Sequence, residues 1–223
     1  MHRIPKPERM IDEKKARAYA MADFEELHSK FIHLFLEHFP HDPIIGYALD
    51  LGCGIADITR RFAQEFLYCE IDGIEGCGHL LKYGRMILKR HGLLNRVRLL
   101  QGYLPNIEWP SSRYDAIISN GFLHQLADPS LLWKSIKQLA HPHSPIFIMD
   151  FMRPESFIQA EIMVKQYVGK EREILRQDFY DALLAAYRIE EVEKQLRAEE
   201  LEQLHIHEVS DRHFIVTGRL SPI

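Results

Sequence analysis

The chain is poor in the features that mark several large classes of protein. It has no apolar run approaching the eighteen or so residues that a spanning helix needs, so no membrane segment is expected. Its three cysteines, Cys53, Cys69 and Cys77, show no C-x-x-C spacing. So sparse and odd a set argues against a disulfide framework and fits a reducing, cytoplasmic setting. Residues 1–7 are polar and carry proline, without the apolar centre of a secretory signal. Lys and Arg form no long run, and 28 of them against 32 Asp and Glu leave a net charge of −4. A chain that grips nucleic acid by its phosphates is more often basic, so such a partner is not expected. Histidine is plentiful, but the nearest pairs, His141 with His143 and His205 with His207, lack a third ligand at a recognisable spacing. No metal site is expected.

What is present suffices for one well-filled core. The chain has 223 residues, of which 46% are hydrophobic, and reads as a single domain. Its organising stretch is Ala48-Leu49-Asp50-Leu51-Gly52-Cys53-Gly54-Ile55-Ala56-Asp57. A short apolar strand begins near Ile44 and closes on Asp50, a glycine turn follows, and a helix opens near Asp57. Gly52 and Gly54 let the backbone turn tightly and approach a ligand, because neither carries a Cβ. Ala56 stands where a third small residue permits close helix–strand packing. About twenty residues on, a second strand-like run closes on Glu75, where a carboxylate can accept both hydroxyls of a ribose. Dinucleotide sites and S-adenosylmethionine sites share this much.

Further periodic segments follow in order. Helical spacing marks residues 8–39, stopped by Pro40 and Pro43, and again a helix from Gly76 and Cys77 to about Arg90 with Gly92 as its stop. Residues 97–101 and 114–119 read as the third and fourth strands. Pro129 opens a helix, and residues 146–150 form a fifth strand ending on Asp150. Residues 155–187 form a helical region too long for a simple crossover. After a last helix over 189–201, residues 204–209 and 213–218 form an antiparallel hairpin, because so short a turn allows nothing else.

The segments "LDLGCGIADIT", "IDGIEGC" and "YDAIISNGFLHQLADP" resemble, in that order, the glycine motif, the acidic second-strand end and the fourth-strand motif of class I S-adenosylmethionine-dependent methyltransferases. The resemblance covers roughly residues 44–218. It implies a Rossmann-like, doubly wound α/β sheet of about seven strands, mostly parallel, with a C-terminal antiparallel hairpin. Residues 1–43 become an N-terminal helical cover, and residues 44–223 the catalytic domain. Residues 154–187 become a helical lid, or alternatively a contact face for a homodimer.

The resemblance also implies the site. Asp50, Gly52, Cys53 and Gly54 form the cofactor loop, Glu75 takes the ribose, and Gly76 and Cys77 flank ribose and adenine. The family places an Asp after the glycine that follows the third strand; here Gly102 is followed by Tyr103 and Leu104. Backbone and packing at those two residues take over the adenine. Ser119 and Asn120 receive the cofactor's ammonium and carboxylate, and the Tyr19 hydroxyl a carboxylate oxygen. The fourth strand lacks the Asn/Asp-Pro-Pro-aromatic signature of enzymes that methylate nucleic-acid amines. His124 is structural, an acceptor contact or a general base, since an unperturbed imidazole titrates near neutrality. Asp150 and Arg153, at the edge where ligands bind, are candidate acceptor contacts. The expected activity is methyl transfer from S-adenosylmethionine, leaving S-adenosylhomocysteine, to a small-molecule acceptor. The alternatives are an RNA or protein acceptor, or a partner subunit that binds cofactor without catalysis.

Overall fold

Alternation along the first strand explains how the chain is layered. In β1 (Gly46–Leu51), Ala48 joins one apolar cluster while Leu49 and Leu51 join the other. Successive side chains point to opposite faces, so a strand with both sets buried must be covered on both sides. The computed structural model describes residues 1–6 and 12–220. Its seven-stranded sheet runs in the order β3-β2-β1-β4-β5-β7-β6, with β2 Cys69–Glu75, β3 Val97–Gln101, β4 Ala116–Asn120, β5 Pro145–Phe151, β6 Leu204–Ser210 and β7 His213–Arg219. The first five strands pair in parallel, whereas β7 runs antiparallel to both β5 and β6. The Rossmann-like architecture and the terminal hairpin read from the sequence are therefore those observed.

One face carries α2 (Glu25–His38), α3 (Asp57–Glu65) and α4 (Gly78–Arg90). Phe35 lies edge-on to Phe62 and Phe147, with centroids 5.0 and 5.7 Å apart. Each such buried ring contributes about 1.5–3 kcal/mol. The other face carries α5 (Ser130–Leu139) and α8 (Ile189–Ala198), whose Leu132, Trp133, Ile136, Val192 and Leu196 meet Ile117, Ile146 and Ile148. Trp133 is fully buried and donates its indole N–H to Gln195 at 2.9 Å.

The N-terminal helical run is two helices, α1 (Glu13–Met21) and α2. Asp12 caps α1 by accepting from the Lys15 amide at 2.7 Å. The expected start at Glu8 lies outside the described residues. The long region after β5 divides into α6 (Phe157–Val168) and α7 (Glu173–Ala185). It breaks at Gly169, where any Cβ would sit 2.3 Å from the Lys165 carbonyl oxygen. Helix α1 packs against α4 and α7, so helices from both ends of the chain meet above the carboxyl edge of the sheet. No helix among the described residues is long and apolar enough to cross a membrane.

Candidate functional site

The chain leaves β1 through two left-handed glycines, Gly52 with φ +78° and Gly54 with φ +55°. The amides of Gly52 and Cys53 both donate to the Ile74 carbonyl at 2.9 Å, which pins the loop to the end of β2. A Cβ on Gly52 would lie 2.6 Å from Phe122, whereas one on Gly54 would meet nothing within 4 Å. Gly52 is thus held by packing, and Gly54 faces open space. Ala56 is left-handed as well and leads into α3.

Glu75, the last residue of β2, turns its carboxylate to this loop. One oxygen accepts from the Gly54 amide at 3.2 Å and the other from the Cys77 amide at 2.7 Å. Burial pushes the Glu75 carboxyl up, and these backbone N–H groups partly offset it. Asp50 is fully buried behind the loop and accepts from the Thr59 hydroxyl at 2.6 Å. Burial raises its carboxyl to about 7; the Glu75 charge adds to this and the Thr59 bond opposes it.

A stability prediction follows from that buried carboxyl. Between the ordinary carboxylate range and about 7 the folded chain keeps the Asp50 proton, while the unfolded chain has lost it. Stability therefore falls as pH rises through this window, and Glu75, also raised, adds in the same sense. The urea midpoint of the ligand-free protein should fall between pH 4.5 and about 7, and Asp50→Asn should flatten much of that slope. An unchanged slope in the variant would refute the assignment.

These groups line one cavity of about 950 Å³ on the carboxyl side of the sheet, within the range of ligand sites. Asp50, Gly52, Cys53, Gly54, Glu75, Asn120, Tyr19 and His124 share its lining. Gly76, Cys77, Gly102, Tyr103, Leu104 and Ser119 lie outside it. Tyr103 is exposed and lays its ring across Gly76, and the Gly102 α-carbon packs on Ile107. Ser119 is buried and spends its hydroxyl on the Leu51 carbonyl at 2.6 Å, tying β4 to β1.

His124 sits on a 3-10 turn, Leu123–Gln125, just beyond β4. Its Nδ1 lies 2.7 Å from an Asp150 oxygen, and its backbone amide reaches the other oxygen at 3.4 Å. A carboxylate acceptor there assigns the hydrogen to Nδ1 and the lone pair to Nε2. Nε2 has no hydrogen bond to a described residue, and His124 lines the cavity. The structure thus corrects the expectation for Asp150. That carboxylate is outside the cavity lining, buried, and turned to His124 and the Phe151 amide. Arg153 is corrected too. It is buried away from the cavity, donating to the Ala186 carbonyl and the Glu191 carboxylate, because the turn into α6 carries it against the first turn of α8.

The Tyr19 hydroxyl is likewise engaged, donating to Asp178 of α7. Asp178 also receives Lys15 and Lys6, the latter at 2.8 Å. Burial alone would push the Asp178 carboxyl up, but the two lysines pull it down to about 2. On the next wall, Phe24 stacks on His28 at 5.0 Å, and His28 meets Asp57 at 2.8 Å. Burial would raise Asp57 too, but bonds from His28, Arg61 and Arg60 outweigh it and hold the carboxyl well below its usual range.

Sequence reasoning passed over Arg3. Its guanidinium donates to the carbonyls of Ala185 (2.6 Å), His124 (3.2 Å) and Leu126 (3.2 Å) and lies 4.1 Å from the Tyr187 ring centroid. It therefore ties the end of α7 to the turn that carries the imidazole. Arg3→Ala should lower turnover by about three- to tenfold through loosened positioning, with cofactor affinity unchanged. Steady-state kinetics beside a calorimetric titration check this, and unaltered kcat would sink it.

A family model described as a methyltransferase domain matches residues 47–203. The fold is shared with a S-adenosylmethionine-dependent methyltransferase of Aquifex aeolicus at TM-score 0.66 and 18% identity, over 93% of this chain and 97% of that one. It is shared as well with the plantazolicin methyltransferase BpumL in complex with S-adenosylhomocysteine, at TM-score 0.66 and 13% identity, over 93% and 91%. The chain belongs to the class I S-adenosylmethionine-dependent methyltransferases. Among curated proteins it is 26% identical over 125 residues to the ubiquinone/menaquinone biosynthesis C-methyltransferase UbiE of Shewanella sp. (strain W3-18-1). That match covers 53% of this chain and 46% of the relative, so the chain matches about half the length of such relatives.

The residues fit the family's cofactor. Gly54 offers bare backbone to open space beside a half-buried carboxylate, and both face a cavity of metabolite size.

Proposed function

We propose that this protein methylates a small-molecule acceptor, with S-adenosylmethionine held by Gly52, Gly54, Glu75 and Asn120. The observation that carries the proposal is the sharing of one cavity by the Gly54–Glu75 cradle and by His124, whose Nδ1 is held from behind by Asp150. When bound, the cofactor supplies a methyl group already activated by its attachment to a sulfonium. The task left to the chain is to align a nucleophile and exclude water. Glu75 would accept from the ribose hydroxyls, Gly54 would admit the cofactor against bare backbone, and Gly52 would hold the turn that presents it. His124, its tautomer set by Asp150, takes a proton from the acceptor at Nε2. Helices α6 and α7 with α1 serve as the roof that keeps water out.

Calorimetry with S-adenosylmethionine, followed by a screen of candidate metabolites with methyl-labelled cofactor, tests this. Saturable one-to-one binding and label transfer to a small metabolite are expected. Absence of cofactor binding would end the reading, and transfer to RNA or protein alone would replace the acceptor class.

A further inference from the structure

Helix α6 is apolar on both of its sides. Its inner side gives Ala160 and Met163 to a cluster with Leu183 and Leu184 of α7. The outer side of such a helix is ordinarily polar, as on α8, where Glu190, Glu193, Lys194 and Arg197 are exposed. On α6, instead, Ile158 is 70% exposed, Ile162 57% and Phe157 47%. A helix that is apolar all round is one whose outer side is covered as well.

The pattern of that outer side says what covers it. Glu155, just ahead of the Ser156 cap, then Ile158, Ile162 and Lys165 follow at spacings of three, four and three, and all four are exposed. That is a seam of the coiled-coil kind, with isoleucines at its centre and a charge at each end. The spacing reads the same in both directions, whereas the charge does not. A second copy laid antiparallel therefore sets Ile158 against Ile162 and Glu155 against Lys165, each twice, while a parallel copy sets like charge on like. Neither charge is spent within the chain. Among the described residues, Glu155 bonds through its backbone alone, to Gln159 and Met1, and the Lys165 ammonium has no partner. Glu161 stands to one side of the seam, in a groove that it shares with Arg176 of α7.

We propose that two copies of this chain associate through α6, antiparallel about a two-fold axis, with Ile158 and Ile162 at the centre and Glu155–Lys165 pairs closing both ends. Such a contact uses the same patch on both copies, so it closes at two and leaves no free end for a filament. Tyr167 and Val168 of α6 line the cavity, so each copy braces part of the other's roof. One helix from each copy covers less than the ~800 Å² per partner of a standard interface, so the dimer is a weak one.

Sedimentation velocity of the full chain over a range of concentrations tests this. A monomer–dimer equilibrium with a dissociation constant of about 10–100 μM is expected. Ile158→Gln with Ile162→Gln should weaken it at least about tenfold. Melting temperature and S-adenosylhomocysteine affinity should stay as they are, because both side chains are exposed. Lys165→Glu alone should weaken the dimer about fivefold, and adding Glu155→Lys should restore it by reversing the pair. A chain that stays monomeric at about 300 μM, including one that instead binds phosphatidylglycerol vesicles, would overturn the proposal. So would a dimer unmoved by the isoleucine changes, or one that the reversed charge pair leaves weakened.

Discussion

Replacing His124 with glutamine is expected to lower kcat by about 10²–10⁴-fold, the range for loss of a positioned general base, while cofactor affinity stays within about twofold. Glutamine suits the test because its amide can still donate to Asp150, which accepts from the imidazole at 2.7 Å, so the turn Leu123–Gln125 keeps its anchor. What is lost is the basic nitrogen Nε2. Asp150→Asn approaches the same group from behind. An asparagine amide donating to Nδ1 would favour the tautomer with hydrogen on Nε2, so turnover should drop although the imidazole remains. Near wild-type rates in both variants would return His124 to a structural role, fastening β4 to β5.

Glu75→Ala is expected to weaken S-adenosylmethionine binding by about ten- to ten-thousandfold. That is the loss of one or two hydrogen bonds to a charged acceptor at about 1.5–3 kcal/mol each. Unfolding free energy of the empty protein should change by no more than about 1 kcal/mol. Removing a half-buried carboxylate relieves a desolvation cost, and leaving the Gly54 and Cys77 amides without an acceptor offsets the gain. Glu75→Gln separates charge from shape. Ribose hydroxyls donating to Glu75 favour its ionised form, so affinity in the wild type should weaken as pH falls through the raised Glu75 titration. The glutamine variant should lack that dependence. An unaltered dissociation constant in the alanine variant would remove Glu75 from the ribose.

Much of the fold, and the geometry of the glycine loop beside Glu75, was legible without coordinates. Gly52 and Gly54 sit in left-handed turns, and Glu75 ends the neighbouring parallel strand with its carboxylate on the loop amide. Those features follow from local backbone demands and strand alternation, which leave a mark at fixed short spacing. The missing acid after Gly102 was equally visible, and so was the hairpin that reverses β7.

Other assignments required the packed chain. Asp150 reads as an acceptor contact because it ends a strand, yet it turns to His124, 26 residues away. Arg153 shares the same edge and is buried against α8 instead. Lys6, Lys15 and Tyr19 converge on Asp178 from the other end of the chain, and Arg3 reaches the carbonyl of His124. By itself the sequence determined the sheet, the glycine cradle and the placing of Glu75, since each depends on near neighbours along one strand or turn. Only the tertiary structure decided which buried charges are paired and which imidazole nitrogen meets Asp150. Such pairs join segments far apart in the chain, and the desolvation that forces each charge to find a partner exists only after the core has closed.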